Sequence, residues 1–515
     1  MPRKKLIEAA FPSQTVGVAS SREAAAFLRF PDTLYHWWPH RPLALCRAVL
    51  FAAIIDDPDQ PDAPEALLQA IDALPIPQNT DSAWQTLSPG EQRRQKVLGF
   101  IERLAEPESV NDDQILNTAR ALVRAAAGDN PPPVYDPCAG SGSIPLEAQR
   151  LGLTAYASDL NPVAALMNRA LIELPPRFAG LPPVNPEASS KWRGARSESS
   201  FLLSPLASRL SPHSPRGAHG LAADVRFYGA WMRDEAQRQV GHLFPTIELP
   251  SRYGGGEAPI VAWIWASTLV CPNPGCSNEV PLARSFVIDS WKDRETWVVP
   301  RIGERYSRHE GQLLFDLQSG KGSPPAGTVI RQGAQCPFCG RRISHDELRA
   351  TGVADRMSAE LMAIVVDRGE GPIHLEPSIS FGRITPQTKP PWTPDTRLTS
   401  NPRCVDLPDY GFTTVASLFT SRQLAALTTL SDLIGYVRAK AALDAERCGD
   451  RDPAAYADAV ATYLGLAVSK TADVASSQCC WNASTQRIIP ALARRTLRMN
   501  WEYAEGNPFS DSSGG

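Results

Sequence analysis

The spacing of apolar positions predicts helices over residues 21–28, 43–55, 64–73, 90–106 and 113–127. The pattern then changes. Short β-prone runs at 133–135 and 153–158 alternate with helical stretches at 143–151 and 162–173. Strand, turn, helix, strand, helix is the order of a parallel α/β unit. Residues 176–220 are rich in Pro, Ser and Arg and read as a linker. Beyond it the pattern predicts a helix over 222–240, β-structure over 260–343 and a helix over 357–366. An extended Pro-rich stretch over 367–412 follows, then helices over 418–447, 453–476 and 485–497. No internal repeat is present.

Composition narrows the class. The chain has 515 residues, 43% hydrophobic and 21% charged, enough for two to four globular domains. Its net charge of -3 gives no global electrostatic footprint for nucleic acid, so any DNA contact must come from local patches. The basic start, Met1-Pro-Arg-Lys-Lys5, is not followed by an apolar segment. The longest apolar run, 259–270, is too short for a bilayer. The expectation is a cytoplasmic protein without a membrane partner. Of ten cysteines, four form two close pairs, which in a reducing compartment favours metal over disulfides.

Two clusters carry candidate chemistry. The first is Asp136-Pro137-Cys138-Ala139-Gly140-Ser141-Gly142, where a strand passes into a helix. Its glycines allow backbone N–H groups to approach a ligand closely. The next strand ends at Ser158-Asp159-Leu160-Asn161-Pro162, and a carboxylate there suits the ribose hydroxyls of an adenosyl ligand. The Gly-x-Gly-x-x-Gly of dinucleotide sites and the Gly-Lys-Ser/Thr of phosphate loops are both absent.

The second cluster is Cys271, Cys276, Cys336 and Cys339. Two knuckle-like pairs supply four thiolates, the set for a closed tetrahedral Zn²⁺ site. The 59 residues between Cys276 and Cys336 are expected to form β-hairpins. Arg331, Arg341, Arg342 and Arg349 lie beside the pairs, and Trp291, Trp297 and Arg301 lie between them. A DNA-reading insert and a purely structural ribbon both remain open.

Asp136–Gly142 resembles motif I of amino-methylating DNA methyltransferases, and Ser158–Val163 resembles their motif II. His40-Arg41-Pro42-Leu43-Ala44-Leu45 resembles motif X, with Arg41 where a lysine is usual. Nearly the whole chain resembles a family of DNA methylases with an inserted zinc ribbon. The segments carrying that likeness are 4–9, 33–44, 136–142, 224–232, 417–425 and 501–514.

The resemblance implies S-adenosylmethionine (SAM) bound by Arg41, Pro42, Asp136, Pro137, Ala139, Gly140, Ser141, Gly142, Asp159 and Asn161. It also implies DNA as partner, adenine-N6 as target and a role in restriction or phage defence. The implied fold is an incomplete Rossmann-like methyltransferase domain with a β-rich zinc-ribbon insert and a helical C-terminal region. Its expected divisions are 1–175 (SAM-binding half), 176–220 (linker), 221–350 (helix and ribbon), 351–412 (extended) and 413–515 (helical).

Amino methylation also needs Asp/Asn/Ser-Pro-Pro-aromatic, which holds the flipped base. Asn130-Pro-Pro-Pro133, Lys389-Pro-Pro-Trp392 and Asn507-Pro-Phe509 all fail that pattern. No catalytic residue is therefore assigned. The expectation is an N-terminal part or subunit that needs a second polypeptide for chemistry, with Arg487, Arg494, Arg495 and Arg498 on a DNA-contacting helix. Two alternatives stand beside it: a non-catalytic zinc-ribbon DNA-binding or assembly protein with a relic SAM fold, and an RNA methyltransferase component.

Overall fold

The computed structural model describes residues 3–25, 34–35, 37, 41–77, 82–190, 217–290, 295–304, 311–320, 322–369, 371–377, 390–494 and 496–510. The chain forms two compact units, Met1–Arg226 with Lys440–Leu466, and Phe227–Ala439 with Ala467–Gly515. Helices and strands are mixed in one α/β chain.

The first unit opens with helices α1 (Leu6–Ala9), α2 (Ser13–Ala25), α3 (Leu43–Ile54), α4 (Glu65–Asp72), α5 (Pro89–Ala105) and α6 (Asp113–Ala127). Local chemistry fixes their ends. Ser88 and Glu91 form a reciprocal capping box on α5, with Pro89 at its first position. Asp112 accepts the Gln114 and Ile115 N–H groups at the start of α6, and Gly128, at φ 78°, ends it. The carboxylate of Glu23 accepts the Leu43 and Ala44 N–H groups at the start of α3. The apolar faces meet in one core containing Leu6, Val16, Phe51, Ile71, Phe100 and Ile101. Burying each such side chain contributes about 1.5–3 kcal/mol before entropy is charged against it.

Against this core lies the α/β unit: β1 (Val134–Asp136), α7 (Ser143–Arg150), β2 (Ala155–Ala157) and α8 (Pro162–Asn168). The two strands are parallel, with Val134 opposite Ala155, Tyr135 opposite Tyr156 and Asp136 opposite Ala157. Val134 and Ala155 pack on the helical core. The alternation of the pleat turns Tyr135 and Tyr156 the other way, and both are exposed. Parts of the long helices His219–Val240, Ser421–Arg447 and Pro453–Val474 complete the unit. There Asp224, fully buried, accepts from Val184 N–H, Asn185 N–H and the Tyr456 hydroxyl.

The second unit is built on β4 (Glu257–Val270), which pairs antiparallel with β3 (Thr246–Glu248), β5 (Glu279–Leu282), β12 (Ser358–Asp367) and β16 (Glu502–Gly506); β13 (Pro372–Leu375) pairs with β12. Antiparallel sheets β6 (Val287–Asp289), β7 (Thr296–Ile302), β8 (Leu313–Ser319) and β9 (Val329–Ile330), β10 (Gly333–Gln335), β11 (Arg342–Ser344) follow β5. A hairpin of β14 (Cys480–Asn482) and β15 (Arg487–Ile489) precedes β16. Arg422 and Glu505 form a buried pair at 2.5 Å, with Trp265 Nε1 donating to the same carboxylate and Arg422 lying 3.6 Å from the Trp263 ring centroid.

Three expectations change. Residues 357–366 are not a helix but β12, buried between β4 and β13. Their β-branched apolar run suits a central strand, and a run that short has no period to separate the two states. Residues 485–497 are not a helix either. Arg487 lies on β15, Pro490 breaks the chain, and only the 3₁₀ turn Ala491–Arg494 follows. Among the described residues there is therefore no arginine-rich helix; Arg498 faces Asp406 at 3.7 Å, and Arg495 lies outside the described residues. The helix expected at 21–28 runs instead over Ser13–Ala25, and residues 26–28 lie outside the described residues.

Candidate functional site

The glycine turn leaves β1 at Asp136, whose carboxylate accepts the Cys138 N–H at 3.1 Å. Gly140 and Gly142 take φ values of 51° and 80°, which residues with a Cβ rarely adopt. Space enforces the same choice. A Cβ on Gly140 would come within 2.8 Å of Trp37 Nε1, and one on Gly142 within 2.8 Å of Asn168 Oδ1. Asn168 in turn donates to the Gly140 carbonyl at 3.0 Å. Ala139 and Ser141 are buried within the turn.

Asp159, just past β2, reaches across to this turn. One oxygen accepts the Gly140 N–H at 2.8 Å and the other the Asn161 N–H at 2.9 Å. The Asn161 and Gly140 donors hold its carboxyl below the usual value. Asn161 caps α8 through the Val163 N–H at 2.9 Å. The acidic strand end thus clamps the glycine turn, and each of its oxygens retains a further lone pair.

The segment before α3 meets the turn through Trp37, whose Nε1 is buried without a hydrogen-bond partner among the described residues. Arg41 is exposed at the start of α3, with Pro42 as its N-cap. Trp38 and His40 lie outside the described residues. One residue escaped the sequence reading. Arg47 on α3 is fully buried and donates to Glu147 on α7 at 3.0 Å, to the Leu104 carbonyl at 2.7 Å and to the Glu106 carbonyl at 3.2 Å. This pair ties the helix after Arg41-Pro42 to the helix after the glycine turn. Its only signal in the sequence is one Arg inside an apolar helix.

The four cysteines converge. Cys271 and Cys276 sit on the turn between β4 and β5, Cys336 and Cys339 on the turn between β10 and β11. Their sulfurs all lie within 4.8 Å of one another. Cys271 and Cys339 are 3.7 Å apart, Cys276 and Cys336 3.9 Å. A tetrahedron with metal–sulfur bonds of about 2.3 Å has edges of about 3.8 Å. The knuckles are closed by Cys276 N–H to Asn273 O at 2.9 Å and Gly340 N–H to Cys336 O at 3.0 Å. Burial raises the thiols of Cys271 and Cys336, whereas the Arg341 N–H and the Asn273 amide bring exposed Cys339 down to about 6. The arrangement can hold one metal ion.

The basic residues around this centre divide. Arg341 pairs with Glu347, Arg349 with Asp346 and Arg301 with Asp316. Arg331 and Arg342 are exposed and form no ion pair among the described residues. Trp297 is buried, and Trp291 lies outside the described residues. The three Pro-containing near-misses have structural explanations where they are described. Trp392 donates to Asp432 at 3.0 Å, Asn507 is buried and donates to the Ile260 carbonyl, and Asn130 precedes β1 in a loop.

A model of a family described as a protein of unknown function (DUF1156) matches residues 10–73. No curated protein and no solved structure matches the chain. Among the described residues no helix is long and apolar enough to cross a membrane.

Proposed function

We propose that this chain is the SAM- and DNA-binding component of an adenine-N6 DNA methyltransferase, and that methyl transfer requires a base-holding loop supplied by another polypeptide. The observation that carries the reading is the clamp between Asp159 and Gly140 at the carboxyl ends of two parallel strands, where α/β sheets bind ligands. The residues fit an adenosyl ligand. Two glycines at positive φ let the turn close against Trp37 and Asn168, the Trp37 N–H is buried with no partner among the described residues, and Arg41 is exposed and forms no ion pair among them. Asp159 would accept the ribose hydroxyls, Asp136 the ammonium group, and Arg41 would face the carboxylate. The bound cofactor supplies an electrophilic methyl group on sulfonium. The turn residues Pro137, Ala139, Ser141 and Gly142, with Asn161 and Pro42, hold the backbone in place around it. Zn²⁺ in the four-cysteine centre would be structural, since four thiolates leave no open position.

Calorimetry with SAM tests this. We expect saturable binding, weakened roughly 10- to 100-fold by Asp159→Ala, which removes charge-assisted hydrogen bonds. An absence of heat for the intact, metal-loaded chain, alone and with duplex DNA, would refute it. That outcome would favour a second reading, a non-catalytic zinc-ribbon assembly protein, which gains support from the prior engagement of Asp159 by two backbone donors.

A further inference from the structure

The second unit contains a cavity of about 320 Å³ that neither the glycine turn nor the metal centre uses. Its walls include Tyr410, Phe412, Phe419, Tyr503, Ser267 and Asn500. Volume near the lower end of the range for ligand pockets suits one ring system rather than a dinucleotide. The ring of Tyr410 meets Trp501 edge-on at 5.2 Å, and that of Tyr503 lies parallel to Trp265 at 6.3 Å.

The polar atoms are the telling feature. Among the described residues the Tyr503 hydroxyl, the Ser267 hydroxyl and the Asn500 side-chain oxygen make no hydrogen bond, although Ser267 and Asn500 are each only 9% exposed. Asn500 spends its Nδ2 on the Gln478 carbonyl, which fixes the orientation of the amide and leaves Oδ1 as an acceptor. Burial and the neighbouring Glu505 raise the Tyr503 hydroxyl above its ordinary value, so it remains a donor at neutral pH. These atoms are not sealed in the interior, and Tyr503 is half-buried, so each is open to water or to a ligand entering the cavity.

Charge narrows the ligand. No Lys, Arg or His lines the cavity, so its occupant is not an anion at the point of burial. Asp355, at the unusual φ of 53°, stands among the lining residues, and the next residue, Arg356, is exposed and free of ion pairs among the described residues. A flat, neutral ring with donors and acceptors on its edge, attached to a phosphate that stays outside, matches this layout. Aromatic walls stack on such rings whatever their identity.

We propose that this cavity receives a single nucleobase, with its faces against the aromatic side chains, its edge met by Asn500, Ser267 and Tyr503, and its flanking phosphate on Arg356. The site is separate from the SAM reading and does not require it. The same chemistry is offered by a free nucleoside and by a base unstacked from a strand.

The test is equilibrium binding to the full, metal-loaded chain. The probes are the four deoxynucleosides, a single-stranded 12-mer, a duplex, the same duplex with one unpaired base, and choline. We expect at least one nucleoside or strand to bind, and Tyr503→Phe or Asn500→Ala to weaken it about tenfold. Tyr503→Phe removes only a hydroxyl without a partner, so its melting temperature should match that of the parent. Tighter binding of the 12-mer or the unpaired-base duplex than of any nucleoside identifies a strand as the source, with Arg356→Ala weakening the strand alone. Binding of nucleosides only identifies a free ligand. The proposal is overturned by no binding of any base-containing probe, by binding indifferent to both pocket variants, or by choline binding in preference. SAM affinity, measured in parallel, should stay unchanged in the pocket variants, so failure here is separable from failure of the methyltransferase reading.

Discussion

A carboxylate whose two oxygens hold two backbone N–H groups behaves differently from one waiting free in solution. Asp159 has its pKa lowered by the Asn161 and Gly140 donors, so its clamp is intact above the ordinary carboxylate value of 3.8 and loosens only as pH falls through the lowered value. Hydrogen exchange at Gly140 and Asn161 should therefore stay slow at pH 5, and Asp159→Ala should speed both. His374 has the opposite sensitivity. It is buried, its Nε2 has no partner, and Asp289 stands 4.0 Å from Nδ1. Burial lowers its pKa below 6.5 against the smaller pull of Asp289. The unfolded chain then takes up the proton first, so the neutral ring's contribution is present above pH 6.5 and lost as pH falls through the lowered value. Thermal melting should show stability declining from pH 6.5 downwards, and His374→Gln should flatten that decline.

Among elements, α3 and α7 depend on one another through the Arg47–Glu147 pair. Removing one partner leaves an uncompensated buried charge, so Glu147→Ala should cost about 3–5 kcal/mol in denaturant unfolding, and the double change Arg47→Met with Glu147→Leu should recover part of it, since the Leu104 and Glu106 carbonyls then lose Arg47 and Arg150 loses Glu147. The pair also shows where legibility stopped. Period and caps were readable: 113–127 was expected as a helix and α6 spans Asp113–Ala127, because Asp112 and Gly128 mark its ends chemically. The cysteine spacing likewise foretold a cluster that the fold brings together. What could not be read were features set by distant partners. Residues 357–366 become a strand because β4 and β13 lie on either side, and the tilt of Asp159 onto Gly140 depends on the register of β1 with β2. The approach of Trp37 to Gly140 joins positions about a hundred residues apart, and no local pattern encodes it.

At the scale of the whole molecule, a net charge of -3 with a few arginines that form no ion pair among the described residues predicts weak, salt-sensitive DNA binding. If Arg331, Arg342 and Arg356 are the phosphate contacts, the log–log slope of affinity against salt should be about -2 to -3, and should fall by about one unit with each arginine removed. Metal removal should act on the second unit: chelation under denaturing conditions should release one equivalent of zinc, and Cys336→Ser should lower the melting temperature. The placement of the cysteines gives that loss a further reach. The sheet β6–β7–β8 leaves and re-enters through a narrow neck, where Val329 N–H meets the Ala283 carbonyl at 3.0 Å and Ser285 bridges Ala326. The four cysteines lie on the turns at the ends of the strands that carry both sides of that neck, so an ion bound by them would pin those strands. With the ion bound, docking of the excursion onto the core is a unimolecular event from a pre-formed stem; without it, the chain must first close a loop of some forty residues, an entropic cost that grows as about (3/2)RT ln n. Zinc supply would thus act as a kinetic checkpoint, setting how fast newly made chains mature.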